Sequence, residues 1–505
     1  MKKLTKFIKE YRLVIAIFLI TSLLIHLPLF IENILTADVL LNTRYYSGYA
    51  WELSLGRFGL YFIGLLKGFI VFPQIEITLG ILLLLASIIF IFDLFHIQNK
   101  ALQVISSIVV ACCPIVSATL LFHYCALPYC LAFFGGVLAV YLFFKVKKRI
   151  WKYGISILLI TMLLSMYQAY LAIPITLLLF YWMIQVLQKK FSWKEFFLSF
   201  GVVVLGGIFY YILMRLSLAF FHIDLNSYRG ANSIGLESIF DIPSRILLAY
   251  QSFYQFYFTD SIVTNSNIGM QYVNVFFFVL LAIGIVVYFI QEKLPWKSIL
   301  LFLFLGLLIP LGINVVVVLL PNTSIQLLMS SGYILVFLFL CYIVQDIKIL
   351  KIFSIFLLFI MIRGYVIQDS ATYQTLSITY QKTYEVASDI RSEIINYPDM
   401  PVMIVGNLED NPIYANSYAT QLEPVSHLTY GFVSNYPLFW EEYSNVKNGW
   451  SRFMNFYLGY PIHFVDEDTY HSILDSSTYQ KMSCYPEDGV KIIDGVVVVK
   501  IAKEN

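Results

Sequence analysis

The chain has 505 residues, of which 59% are hydrophobic and only 13% charged, with a net charge of +2; its mean hydropathy is +0.77. A soluble domain carries about 25% charged and about 45–50% apolar residues, so this composition is that of an integral membrane protein. The basic residues are scattered rather than striped along one face, which argues against a nucleic-acid partner.

The N-terminus, MKKLTKFIKEYR followed by an apolar run, has the charge pattern of a signal peptide but no small-residue cleavage site. The run is long enough to cross the bilayer, since about 20 residues span the hydrocarbon core. An uncleaved first helix is expected. Ten more apolar stretches follow, giving eleven spans at about 13–31, 75–95, 101–121, 127–145, 153–168, 171–188, 196–220, 271–290, 297–319, 325–344 and 350–367. Of the six cysteines, only Cys484 lies outside the apolar region, and no spacing resembles a zinc site.

Basic residues set the orientation. With Lys2, Lys3, Lys6, Lys9 and Arg12 cytoplasmic, the inner loops also take Lys100, Lys145, Lys147, Lys148, Arg149 and Lys152. Lys189, Lys190, Lys194, Lys293, Lys297, Lys348 and Lys351 complete the set, whereas the outer loops hold only Arg44, Arg57, Lys67, Arg229 and Arg245. This alternation requires that Phe58–Phe72, interrupted by three glycines and Lys67, lie on the outer surface instead of spanning. The expected fold is therefore a polytopic α-helical protein of the plasma membrane with its N-terminus inside. Residues 1–367 form the transmembrane domain, with external loops at 32–74 and 221–270. Residues 368–505 form a small extracytoplasmic α/β domain. In that tail Ser370–Ile395 reads as helical, Pro401–Gly406 as a strand, and Val490–Ile501 as a hairpin about Asp494-Gly495.

The centres of the spans are nearly free of ionisable groups, whereas transporters and pumps keep acids or bases near the midplane. Charge gathers instead in the first outer loop: Glu32, Asp38 and Arg44, then Glu52, Gly56 and Arg57. An acid and arginines at the membrane surface suit a phosphate-bearing lipid substrate, because arginine offers fixed bidentate donors and stays charged. Arg215, toward the outer end of the seventh span, and Arg245, in the external loop 221–270, are further candidate phosphate contacts. Tyr167 and Gln168, in a short outer turn, are candidates for sugar hydroxyls, and His123 and Tyr124 occupy a similar turn. His26 reads as a packed helix histidine. Asp466-Glu467-Asp468 has the acid-x-acid form of a metal-nucleotide site but falls in the external tail. No Gly-rich phosphate loop, Ser-His-Asp signature or H-E-x-x-H motif occurs, and no metal or cofactor is expected.

The stretch Asp38-Val-Leu-Leu-Asn-Thr-Arg44 and the block Leu55-Gly56-Arg57-Phe58-Gly59, just after a first span, resemble the GtrII-like glucosyltransferases of bacterial envelopes. Tyr167-Gln168 and the many-span layout with an external tail extend the resemblance, although Phe58 stands where that family usually has Trp. The resemblance implies a GT-C enzyme that takes a sugar from an undecaprenyl-phosphate-linked donor on the outer face, without a nucleotide. The acceptor would be a surface polysaccharide or glycolipid. It also implies an acidic base in the first external loop, a place that Asp38 and Glu32 fit.

The expected chemistry is an inverting transfer of one hexose, with Asp38 or Glu32 taking the acceptor proton. Arg44, Arg57 and either Arg215 or Arg245 would hold the lipid phosphate, with Glu52, Tyr167 and Gln168 completing the substrate site. Two other classes fit less well. A lipid-linked oligosaccharide polymerase would share the external site, whereas a flippase would need a polar path through the membrane. A non-enzymatic scaffold would leave the charged loop without a purpose.

Overall fold

The computed structural model describes residues 2–42, 44–228, 241–259, 268–320, 325–406, 408–426 and 443–502. Most of them are helical. The chain divides into two compact units: Met1–Leu27 with Arg44–Val366, and Pro28–Thr43 with Ile367–Asn505. The second unit thus includes 28–43, a segment that sequence order alone assigns to the transmembrane part.

The first unit opens with α1 (Lys2–His26). The short helices α2 (Pro28–Ile31) and α3 (Ala37–Leu41) belong to the second unit. Returning to the first unit, the chain makes a single turn, α4 (Trp51–Ser54), and then α5 (Phe58–Leu66). The nine residues of α5 rise only about 14 Å, so this apolar stretch is too short to cross.

The bundle continues with α6 (Pro73–Phe95), α7 (Lys100–Ala111), α8 (Pro114–Leu121) and α9 (Ala126–Lys145). After them come α10 (Ser156–Met166), α11 (Ala172–Leu187) and α12 (Trp193–Phe221). α9 packs between α6 and α10, and α10 also packs on α12. The buried His26 meets the Ala111 carbonyl at 3.0 Å, a packed helix histidine.

The segment 221–270, expected as a loop, contains a helix, α13 (Ile242–Phe258); Arg229 lies outside the described residues. The rest of this unit is α14 (Met270–Gln291), α15 (Trp296–Leu307), α16 (Ile309–Ile313), α17 (Val315–Leu319) and α18 (Ile334–Val344). The expected span at 297–319 corresponds to Trp296–Ile313, apolar and long enough to cross, with a turn at Leu308 shortly before Pro310, which lacks a backbone N–H. Asn314 lies at a second turn, donating to the Pro310 and Ala249 carbonyls at 3.1 and 3.0 Å and accepting the Tyr333 hydroxyl at 3.0 Å.

Seven described helices are long and apolar enough to cross a membrane, and α7 with α8, bent by 43°, makes an eighth if the pair is one span. The bend falls at Pro114, the first residue of α8. Stretches 153–168 and 325–344 form shorter apolar helices, each preceded by π- or 3₁₀-helical turns.

α19 (Lys348–Ile394) runs unbroken for 47 residues, and the division between the units falls within it. The second unit continues with β1 (Val402–Val405), α20 (Pro412–Ala415), α21 (Tyr418–Leu422) and α22 (Tyr443–Leu458). It ends with α23 (Glu467–Leu474), α24 (Ser477–Gln480), β2 (Val490–Ile493) and β3 (Val496–Lys500). The strands form one sheet in the order β1-β3-β2, with β1 parallel to β3 and β2 antiparallel to it. The hairpin turns at Asp494 and Gly495, whose φ of +50° and +79° suit the tight turns that follow strand twist. Asp466 of the acidic triplet caps α23, accepting from the Thr469 N–H at 2.8 Å.

Basic residues in the first unit gather at one set of helix ends. Lys145, ending α9, pairs with Asp93 near the end of α6 at 2.9 Å. Lys152 pairs with Glu195 in the first turn of α12 at 2.7 Å. At the opposite ends of these helices lies the candidate site.

Candidate functional site

The loop that carries α4 and α5 is folded by its glycines. In the turn after α4, the N–H groups of Gly56 and Arg57 donate to the carbonyls of Leu53 and Glu52, both at 2.8 Å. Gly56 has a φ of +76°, and a Cβ there would sit 2.6 Å from the Tyr210 hydroxyl and 2.7 Å from the Met214 sulfur. A Cβ on Gly59 would collide with Ser165. Glycine at both positions therefore lets the loop backbone lie directly against α12 and α10. Between them, Phe58 stacks on Tyr210 at 6.0 Å with rings 13° apart.

That turn presents Arg57. Its guanidinium lies 4.6 Å above the Tyr167 ring, and Tyr167 stacks on Tyr129 at 4.8 Å. Arg57 Nε is buried without a hydrogen-bond partner, and among the described residues no carboxylate forms an ion pair with Arg57. Burial alone pulls its pKa down, but Tyr129, Tyr167, Tyr46 and Glu52 outweigh that pull and the net shift is upward, so the group stays cationic. The cation–π contact gives about 0.5–2 kcal/mol, and the group is half-buried. Nε is then the donor left for an anionic ligand.

Gln168 fixes the turn. Its amide donates to the Leu55 carbonyl and to the Tyr210 hydroxyl, both at 2.8 Å, and Tyr210 donates to the Gly56 carbonyl at 3.2 Å. The amide is thus engaged in holding Arg57's loop. Beside this group, Tyr46 packs on Tyr124 at 4.6 Å. Lys67 donates to Glu76 at 2.6 Å and to the Tyr124 carbonyl at 3.2 Å. Glu76 is only 2% exposed, and its second oxygen is buried without a partner. His123, also buried, is held neutral: burial alone lowers its pKa to about 4.

A family model for glucosyl transferase GtrII matches residues 27–343, well over half of the chain. The chain belongs to the GtrII glucosyltransferase family. As a GtrII enzyme it is a glycosyltransferase, and its apolar helices make it a membrane protein. No curated protein and no solved structure matches the chain.

The structure brings together Glu52, Arg57, Tyr167 and Gln168 of the residues expected to form the GtrII site. It adds Tyr46, Tyr129 and Tyr210, together with the Lys67–Glu76 pair, which the sequence reading did not single out. Arg44 is exposed on the same loop, where its carbonyl accepts from the Val71 N–H at 3.4 Å. Arg215 is exposed on α12. Arg245, 5% exposed, donates to the carbonyls of Val318 and Leu319 at 3.3 Å, closing the end of α17. Asp38 and Glu32 belong to the second unit. Asp38 is half-buried in the first turn of α3, and Glu32 is exposed after α2.

The fit at Gly56 gives a first prediction. Gly56→Ala is expected to destabilise the protein by about 1–3 kcal/mol through overpacking and left-handed strain. Thermal unfolding of the detergent-purified protein measures it.

Proposed function

We infer that this GtrII enzyme moves one glucose, or a related hexose, from an undecaprenyl-phosphate-linked donor to a cell-envelope polysaccharide or glycolipid on the outer face of the plasma membrane. The observation that carries this reading is the half-buried Arg57 cation, stacked on Tyr167 with Nε unpartnered, at the helix ends opposite Lys145 and Lys152. The positive-inside rule makes the lysine-rich ends cytoplasmic. With eleven spans the N-terminus is then inside, and the α/β tail is extracytoplasmic.

The reaction is a single displacement with inversion. The acceptor oxygen bonds to the sugar C1 as its proton passes to Asp38, with Glu32 as the alternative base. The bond from C1 to the phosphate oxygen breaks, and its electron pair leaves with undecaprenyl phosphate. Arg57, with Arg44 on the same loop, holds that phosphate, while Gln168 and Tyr167 fix Arg57. The span bundle cradles the polyprenyl tail.

Structural analysis of the surface glycans of a strain lacking this protein tests the reading. A missing monosaccharide branch on a polymer of normal length is expected, restored by complementation. A shortened polymer would instead indicate a polymerase, and an unaltered set of glycans would overturn the assignment.

A further inference from the structure

We propose that Arg452 in the C-terminal unit is a positioning residue for Asp38, so that the tail beyond the matched stretch is part of the catalytic apparatus. The inference rests on the assignment of Asp38 as the base. α3 has only five residues; a helix of that length has no stability of its own in water and forms only when its ends are fixed from outside. Its first turn is closed by Thr36, whose hydroxyl accepts from the Val39 N–H at 3.3 Å. At the other end the Arg452 guanidinium donates to the Leu41 carbonyl at 2.7 Å, which satisfies a terminal carbonyl and places positive charge at the negative end of the helix.

The lever behind Arg452 is rigid. α22 packs on α3, and it buries Val446, Trp450, Phe453 and Met454. Phe453 and Tyr457 of α22 meet Tyr380 of α19 at 5.9 and 5.5 Å. On α3 itself Val39 and Leu40 are buried, whereas Asp38 between them and the cap remains half-exposed. A carboxyl that must accept a proton is thereby presented from a turn pinned at both ends. Catalysis depends steeply on such placement, about 10²-fold for a 1 Å displacement.

The test uses full-length protein in proteoliposomes with synthetic polyprenyl-phosphate-glucose as donor and the strain's isolated envelope glycan as acceptor. Arg452→Ala is expected to lower kcat about tenfold to hundredfold with the donor KM and the melting temperature unchanged. Faster amide exchange confined to residues 39–42 should accompany it. Arg452→Lys, which keeps one cationic donor, should recover part of the rate. In an Asp38→Asn background, Arg452→Ala should cost nothing further. A normal kcat in Arg452→Ala overturns the proposal, as does a loss that merely tracks the amount of folded protein in both variants. If Asp38→Asn itself turns over normally, the assignment of the base has failed, a result read independently of Arg452.

Discussion

Arg57→Gln should cut transfer about 10²–10³-fold while leaving the protein about as stable as before. The two halves of this expectation have one cause. In the donor the phosphate is a diester with a single negative charge; as the bond to the sugar breaks it becomes a monoester and takes on a second. A fixed guanidinium gains most from that second charge, so the loss should fall mainly on kcat, with less effect on donor affinity. In the resting protein, by contrast, the cation is half-buried over Tyr167 with Nε unpartnered. Removing it lifts part of a desolvation cost and gives up a cation–π contact of at most about 2 kcal/mol, so the two changes to the fold offset each other. Arg57→Lys keeps the charge but loses the planar stack and the fork of donors, and should recover only part of the rate. Turnover of polyprenyl-phosphate-glucose by the purified variants, measured beside their melting temperatures, decides the matter. Undiminished turnover in Arg57→Gln would remove the phosphate-binding role. Lost turnover with a lowered melting temperature would make Arg57 a structural residue.

The sequence makes the two ends of this site visible for different reasons. Gly56-Arg57 stands out because charge is rare in so apolar a chain, and Gly56 and Gly59 each lie where a Cβ would strike a neighbouring helix. Tyr167-Gln168 stands out as a polar break between apolar runs, although its contact with the loop bridges 113 positions. Tyr46, Tyr129 and Tyr210 carry no such mark: the chain has 37 tyrosines, and only packing distinguishes these. The Lys67–Glu76 pair was hidden because its members sit in separate elements, one in the turn after α5 and one in the first turn of α6. Arg245 shows the converse. Its charge in the second loop suggested a phosphate ligand, yet its donors close the last carbonyls of α17, a need of every helix end that only the fold brings within its reach. Short apolar runs bounded by turn residues placed β1 and the Asp494-Gly495 hairpin correctly, since both are local signals. That 28–43 belongs with the C-terminal unit is a long-range fact no local pattern carries.

Asp38→Asn is the other substitution with a large expected effect, a loss of about 10²–10⁴-fold in transfer with insertion and folding intact. The side chains have nearly the same shape, and an acid in the first turn of a helix contributes only about 0.3–1 kcal/mol, so the structure should tolerate the change. What asparagine cannot do is accept the acceptor proton. Glu32 is the competing base, and the two carboxyls differ in how firmly they are held. Glu32 is exposed just beyond the four residues of α2. Asp38 rides on a turn closed by Thr36, by Asn42, whose amide donates to the Asp38 carbonyl at 2.8 Å, and by Arg452. A general base works in proportion to its placement, so Glu32→Gln should stay near the wild-type rate while Asp38→Asn collapses. Asp38→Glu keeps the charge but shifts the carboxyl by about one bond, and a shift of about 1 Å is enough to cost about 10²-fold; it should therefore fall well below wild type and above Asn. Rates for the three variants in proteoliposomes, normalised to folded protein, separate the cases. Activity lost in Glu32→Gln but kept in Asp38→Asn moves the base to position 32, and activity kept in both means that neither carboxyl of this loop takes the proton.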